Sequence, residues 1–273
     1  MRHSRRTRFE LAAVLGLAAA VAAFASVAIG GGEGPAQAPA AALQTGGTAL
    51  ADAPEPAFEI PVPQALPAAA HESTWAVVKH AATARTGPGA GFEPLGRLEA
   101  RTPEGTTNLA LVLDRRRSSA GDLWILVRLP ILPNNSEGWV PRAALGGYGI
   151  VDTHLIVDLG DRQATLLRAG RAIFRAPVGV GVARFPTPRG RFYVRNKLTR
   201  FRNPFYGPIA FGTSARSVSL TDWPAGGFIG IHGTNRPDLL PGAVSHGCIR
   251  LRNAAIRRLA RLMPIGTPLT VRA

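Results

Sequence analysis

Cys248 is the only cysteine in a chain of 273 residues, and it stands in Ser245-His246-Gly247-Cys248-Ile249-Arg250-Leu251, downstream of Ile231-His232-Gly233-Thr234. A lone thiol has no disulfide partner within the chain, so its reactivity becomes the question. The attacking form is the thiolate, and a free thiol with pKa about 8.5 is mostly protonated at neutral pH, so it needs a base or positive surroundings. Two histidines can act as that base. His246 lies two positions before Cys248 in a Gly-containing turn, where the side chains can approach or diverge. His232 lies sixteen positions upstream at the end of an apolar run, and the loop with Pro237, Pro241 and Gly242 can fold it back beside the thiol. Gly247 leaves the backbone open, so the amide hydrogens of Gly247 and Cys248 can point at a developing oxyanion. Ser245 is suited to a hydrogen bond within the turn. If Cys248 leads into a strand, Arg250 faces the same side, where it lowers the thiol pKa, binds a substrate carboxylate, or is a plain surface arginine. Asn235, Arg236 and Asp238 read as loop-shaping residues.

Two other readings compete. Free cysteine is among the most buried residue types, so an isolated one is ordinarily core; the Ser-His-Gly-Cys turn and the upstream histidine argue for chemistry instead. His232, His246 and Cys248 also offer three zinc ligands, but their spacing matches no common zinc pattern, and the expectation is a site with no metal.

The elements that must position these residues are mostly strands. Val77-Val78, Leu111 to Leu113, Trp124 to Val127, Leu155 to Val157, Phe192 to Val194 and Phe228 to Ile231 are short apolar runs, most with β-branched or aromatic residues, punctuated by Gly, Pro and Asn. One stretch reads as a helix: Asn253 can cap a segment running to about Met263, with Ile256, Leu259, Leu262 and Met263 on one face and Arg257, Arg258 and Arg261 on the other. Pro264 and Gly266 end it, and Pro268 to Val271 reads as a last strand. The predicted class is mainly β.

Residues 1–30 join a basic start, with Arg2, His3, Arg5, Arg6 and Arg8, to an uncharged apolar run from Leu11 to Gly30. That pattern predicts export to the periplasm or cell envelope, with the run either a cleaved signal or, slightly favoured, an inner-membrane anchor. Residues 31–73, rich in Pro, Ala and Gly, read as a semi-extended linker or as plain disorder. The remaining length suffices for one large or two small domains. A net charge of +15, almost all arginine, raises nucleic acid as a partner, but the arginines are scattered and no nucleic-acid motif is present. Attraction to anionic envelope surfaces is the functional form of that charge.

Two sections divide near Gly146-Gly147-Tyr148-Gly149. In residues 74–147, Ala84-Arg85-Thr86-Gly87-Pro88, Gly121-Asp122-Leu123-Trp124 and Gly138-Trp139-Val140 resemble a bacterial SH3-like domain, a small β-barrel whose relatives often bind cell-wall peptides or partners. Plain core packing is the simpler reading of Trp124 and Trp139. Residues 150–273 carry a stronger resemblance. Thr153 to Asp158, Pro177 to Gly181, Phe185 to Phe192, Asn203 to Pro208, Gly230 to Thr234, Ser245 to Leu251 and Ile265 to Leu269 look like a YkuD-type L,D-transpeptidase catalytic domain. The resemblance implies a β-sandwich with one helix near the C-terminus. It makes Cys248 the nucleophile and His232 the general base of an ion pair, with Gly233 orienting the ring. His246, Gly247 and Ser245 then fall around the oxyanion, and Arg250 and Thr234 on the substrate. It further implies no cofactor, peptidoglycan stem peptides as substrates, capture by carbapenem-type inhibitors, and transfer of an acyl group to an amine. An L,D-carboxypeptidase using water and a non-catalytic wall-binding module are the alternatives.

Overall fold

The computed structural model describes residues 71–199, 203–220 and 227–273, so the N-terminal segment and nearly all of the linker lie outside the described residues. Every described residue belongs to one compact unit. The fold is mainly β, and among the described residues there is a single α-helix. No helix among them is long and apolar enough to cross a membrane.

The first sheet is built from β1 (Ser73–Val78), β2 (Ala82–Arg85), β3 (Pro94–Leu98), β4 (Leu109–Arg117), β5 (Leu123–Arg128), β6 (Glu137–Pro141) and β7 (Leu145–Val151). They pair in the order β3-β2-β6-β5-β4-β1-β7 around a core of Ala76, Val78, Ala84, Leu98, Ala110, Ile125, Val127, Leu129, Val140 and Leu145. Period-2 alternation explains the faces: in β1, Ala76 and Val78 point inward while Val77 between them does not. Trp124 and Trp139 are buried. The Gly146 to Gly149 run, near which two sections are expected to divide, lies within strand β7 and pairs with β1, Tyr148 opposite Ala76 and Gly149 opposite Trp75. A side chain at Gly149 would collide with the Trp75 indole, so this glycine serves close packing rather than a break.

The second sheet contains β8 (Thr153–Asp158), β9 (Gln163–Arg168), β10 (Arg171–Pro177), β11 (Gly179–Gly181), β12 (Gly190–Leu198), β13 (Ala210–Arg216), β14 (Phe228–His232), β15 (Gly242–Ser245), β16 (Ile249–Arg250) and β17 (Pro268–Arg272), with helix α1 (Asn253–Leu262). Its order is β10-β9-β8-β17-β12-β13-β14-β16-β11-β15. Strand β12 is the corner: residues 190–193 pair with β17, and from Val194 onward it pairs with β13. The sheet therefore curls, and its two parts enclose a core in which Leu155, Leu166, Phe192, Phe211, Ile231, Ile249 and Leu269 meet Ile256 and Leu259 of α1. The helix runs as the apolar periodicity predicts, but Arg252 occupies its N-cap without a side-chain cap bond. Asn253 opens the first turn, its Oδ1 accepting instead the backbone N–H of Thr234 at 2.9 Å. That bond ties the helix start to the loop after His232.

Candidate active site

Strands β14 and β16 run parallel with Ile231 opposite Ile249 and His232 opposite Arg250. This register brings the His232 segment beside the Cys248 segment, despite the residues between them. Gly230 is the contact point: its N–H donates to Cys248 Sγ at 3.4 Å. A Cβ placed on Gly230 would lie 3.9 Å from Sγ and 3.8 Å from His232 Cδ2, so thiol and imidazole edge face the same bare stretch of backbone.

The turn before the thiol is braced from two sides. Ser245 Oγ donates to Cys248 O at 2.6 Å and accepts the N–H of Gly247 at 3.1 Å. From the loop after β11, Thr187 Oγ1 donates to Gly247 O at 2.8 Å and accepts Gly181 N–H at 2.9 Å. Gly247 has φ +110°, and a Cβ there would come within 2.8 Å of Ile229 Cδ1, so only glycine fits this turn comfortably. The Gly247 amide, expected to face an oxyanion, donates to Ser245 Oγ.

His232 is buried, and its Nδ1 lies 2.6 Å from Gly233 O. A carbonyl oxygen only accepts, so Nδ1 carries the proton and Nε2 presents its lone pair. Nε2 is buried and has no hydrogen-bond partner. Tyr206 packs edge-on against the ring at a centroid distance of 4.9 Å, and Phe205 lies at 6.1 Å. These aromatics sit on a 3-10 turn that Asn203 caps by accepting Phe205 N–H, with Pro204 at the first position. Burial pulls His232 down to about 4, against the opposing Gly233 hydrogen bond and with help from the Arg250 charge. Burial pushes the Cys248 thiol up, against the Gly230 N–H and Arg250. Both directions favour a neutral thiol beside a neutral imidazole over a resting ion pair, because two charges here would give up water that the pocket does not replace.

Cys248, His232, His246 and Arg250 share one cavity of about 140 Å³ with Phe205, Tyr206, Phe228 and Ile229. Arg250 is buried, with its guanidinium 4.3 Å from the centre of the Phe205 ring and its Nε unpartnered. The plain-surface alternative for this arginine therefore does not hold. His246 is exposed at the cavity edge, its ring 4.9 Å from that of Phe185. Thr234 is not brought to the cavity. Its amide binds Asn253 and its Oγ1 accepts Arg236 N–H at 3.0 Å, so it shapes the loop. Gly233 is buried where a side chain would run into Asn253 Oδ1 and come within 2.9 Å of Pro208. Among the described residues, no group of three or more His, Cys, Asp or Glu side chains is arranged to hold a metal ion. Sequence reasoning passed over Thr187, Gly230 and Asn253 as site-builders; they act by backbone contacts across long separations, which no local pattern signals.

Thiol and imidazole line one cavity, and they are the two groups that attack by a cysteine with a histidine base requires. Residues 152–271 match the family model of the YkuD-type L,D-transpeptidase catalytic domain. Over 118 residues the chain is 39% identical to the YkuD protein of Bacillus subtilis, covering 43% of this chain and 65% of that protein. The YkuD protein of Bacillus licheniformis is 37% identical over 117 residues, covering 43% of this chain and 64% of the relative. The chain thus spans just under two thirds of the length of these relatives. Among solved structures, an L,D-transpeptidase mutant from Enterococcus faecium is 24% identical, with 44% of this chain and 49% of that one covered at a TM-score of 0.35. An L,D-transpeptidase solved in complex with imipenem is 14% identical, with 59% and 98% covered at a TM-score of 0.37.

Proposed function

We propose that this protein is an exported cysteine L,D-transpeptidase acting on peptidoglycan stem peptides. The observation that carries the reading is the placement of the Cys248 thiol and of His232, with its bare Nε2, on one cavity. In the first half-reaction the thiol proton passes to His232 Nε2 as Sγ attacks the carbonyl of the third residue of a tetrapeptide stem. The tetrahedral oxyanion is met by the Cys248 amide. Collapse expels the D-alanine amine, which takes its proton from His232, and leaves a thioester on Sγ. In the second half an amine attacks the thioester and regenerates the thiol. If that amine is the side chain of another stem's third residue, the product is a 3→3 cross-link. Arg250, buried and positive beside the thiol, suits a substrate carboxylate. An apolar run at residues 11–30 would keep the protein at the envelope, and the first sheet, as an SH3-like domain, would hold it to the wall. Carbapenem-type inhibitors would acylate the same sulfur.

Incubating the full chain with a disaccharide tetrapeptide and following intact mass tests this. An adduct on Cys248 with release of D-alanine is expected, followed by a cross-linked dimer. Release without dimer identifies water as the acceptor, and no adduct at all sinks the enzymatic reading in favour of a wall-binding module.

A further inference from the structure

One wall of the cavity is Phe228, and two arginines lie against its ring. The Arg195 guanidinium carbon is 3.8 Å from the ring centre and that of Arg216 is 4.9 Å away. Two cations on one ring are held there by contacts with the first sheet. Arg195 is only 1% exposed; its Nε donates to Thr213 O, and its other charged contact is Glu104 at 3.9 Å. Glu104 belongs to the loop between β3 and β4, and the same loop is gripped by Asn196 Nδ2, which reaches Glu104, Thr102 and Thr106 at 3.0 to 3.3 Å. Arg216 is clamped through its backbone: Asn134 Nδ2 donates to Arg216 O at 2.7 Å and Asn134 Oδ1 accepts Arg216 N–H at 2.9 Å. Asn134 lies in the loop between β5 and β6. Two separate loops of the first sheet thus reach the two arginines that flank one pocket aromatic.

We infer that the first sheet sets the shape of the Cys248 cavity, with Glu104 and Asn134 as positioning residues that act through Arg195 and Arg216 on Phe228. Neither residue lines the cavity, so any effect they have on reaction at the thiol must pass through the wall. With Glu104 neutral, Arg195 is a buried cation without its anion and has less reason to keep its plane against the ring. Without the Asn134 amide, the end of β13 loses two bonds that fix where Arg216 leaves the sheet. Each change loosens Phe228 while leaving Cys248, His232 and the Ser245 turn untouched. For catalysis the inference rests on the proposed acyl transfer; for cavity shape it does not.

The test measures, on the full chain, the ratio of Cys248 alkylation rates by N-benzyl iodoacetamide and by iodoacetamide, for Glu104→Gln, Asn134→Ala, Phe228→Leu and each double variant. The bulky reagent needs the wall and the small one does not. Glu104→Gln and Asn134→Ala are each expected to change the ratio by about threefold or more with the iodoacetamide rate nearly constant, and Phe228→Leu to change it at least as much. Adding Glu104→Gln or Asn134→Ala to Phe228→Leu should produce no further change. A ratio that stays at the wild-type value, or effects that multiply independently of Phe228, overturns the inference. Both reagents react with any accessible thiol, so the result stands whether or not the tetrapeptide acylates Cys248. Where acylation does occur, the same variants should raise KM for the tetrapeptide more than they lower kcat. Asn134→Ala provides the answer independently if Glu104→Gln does not fold.

Discussion

Both sheets bury polar side chains, but only the ten-stranded sheet gathers them around a thiol among the described residues. In the seven-stranded sheet Thr102 bonds Thr106, Asn108 bonds Glu99 O and Leu109 N–H, and Arg128 fixes both terminal nitrogens on Asn135 O and Glu137. Those side chains hold loops. In the ten-stranded sheet His232 and Arg250 are as deeply buried and, like Arg128 at its Nε, each leaves a nitrogen unpartnered, but these two line the cavity that holds the thiol. An unsatisfied buried nitrogen costs stability, and two of them on the cavity that holds the thiol make it the candidate site.

The comparison breaks first at the sulfur. Cys248→Ala should abolish every covalent adduct, read by intact mass, while the fold persists. His232→Asn should slow acylation by about 10²- to 10⁴-fold, the range for removing a positioned proton acceptor, with the folded fraction at pH 7 unchanged by circular dichroism. The first sheet should answer differently. Leu98→Ala, in a fully buried position, is expected to cost about 2–5 kcal/mol in denaturant unfolding while the iodoacetamide rate at Cys248 in the folded protein stays near wild type. A protonation experiment sharpens the contrast further. His232 is held at about 4 in the fold against its ordinary 6.5, so the folded protein binds fewer protons than the unfolded chain between those values. Stability associated with this ring is fully present above pH 6.5 and is lost as the pH falls towards 4, on the order of 3 kcal/mol, and His232→Asn should remove that part of the slope. The alkylation rate of Cys248 should conversely keep rising with pH beyond the usual thiol range, because burial raises its pKa. The smallest expected effect is Gly247→Ala, about 1–3 kcal/mol from a side chain forced into a positive φ, read as a lowered midpoint of unfolding.

Local pattern was enough to find the strands, since β-branched and aromatic runs bounded by Gly and Pro became β1, β4, β5, β8, β12 and β14. It was also enough to find the helix by its period. What pattern could not supply was partnership. The parallel pairing of β17 with β8 and of β14 with β16 joins segments far apart in sequence, and their order follows from the closing of one core. The same limit applied at the site. Cys248 and His232 stood out by residue type and spacing, and the register brings them together. Thr187 did not stand out, because a threonine sixty positions from the glycine it braces has no local signature. At Gly146 to Gly149 the sequence marks the neighbourhood where two sections divide but not that Gly149 is needed to let a strand lie against Trp75.

The bond from His232 Nδ1 to Gly233 O has a kinetic consequence. A backbone carbonyl is a dipole, and among the described residues no carboxylate is paired with this ring, so a proton arriving at Nε2 makes a cation with little to hold it in place. The protonated ring is then a short-lived state. In the proposed acyl transfer it would hand its proton on to the departing amine quickly, and the pace of turnover would fall to whichever nucleophile next reached the sulfur.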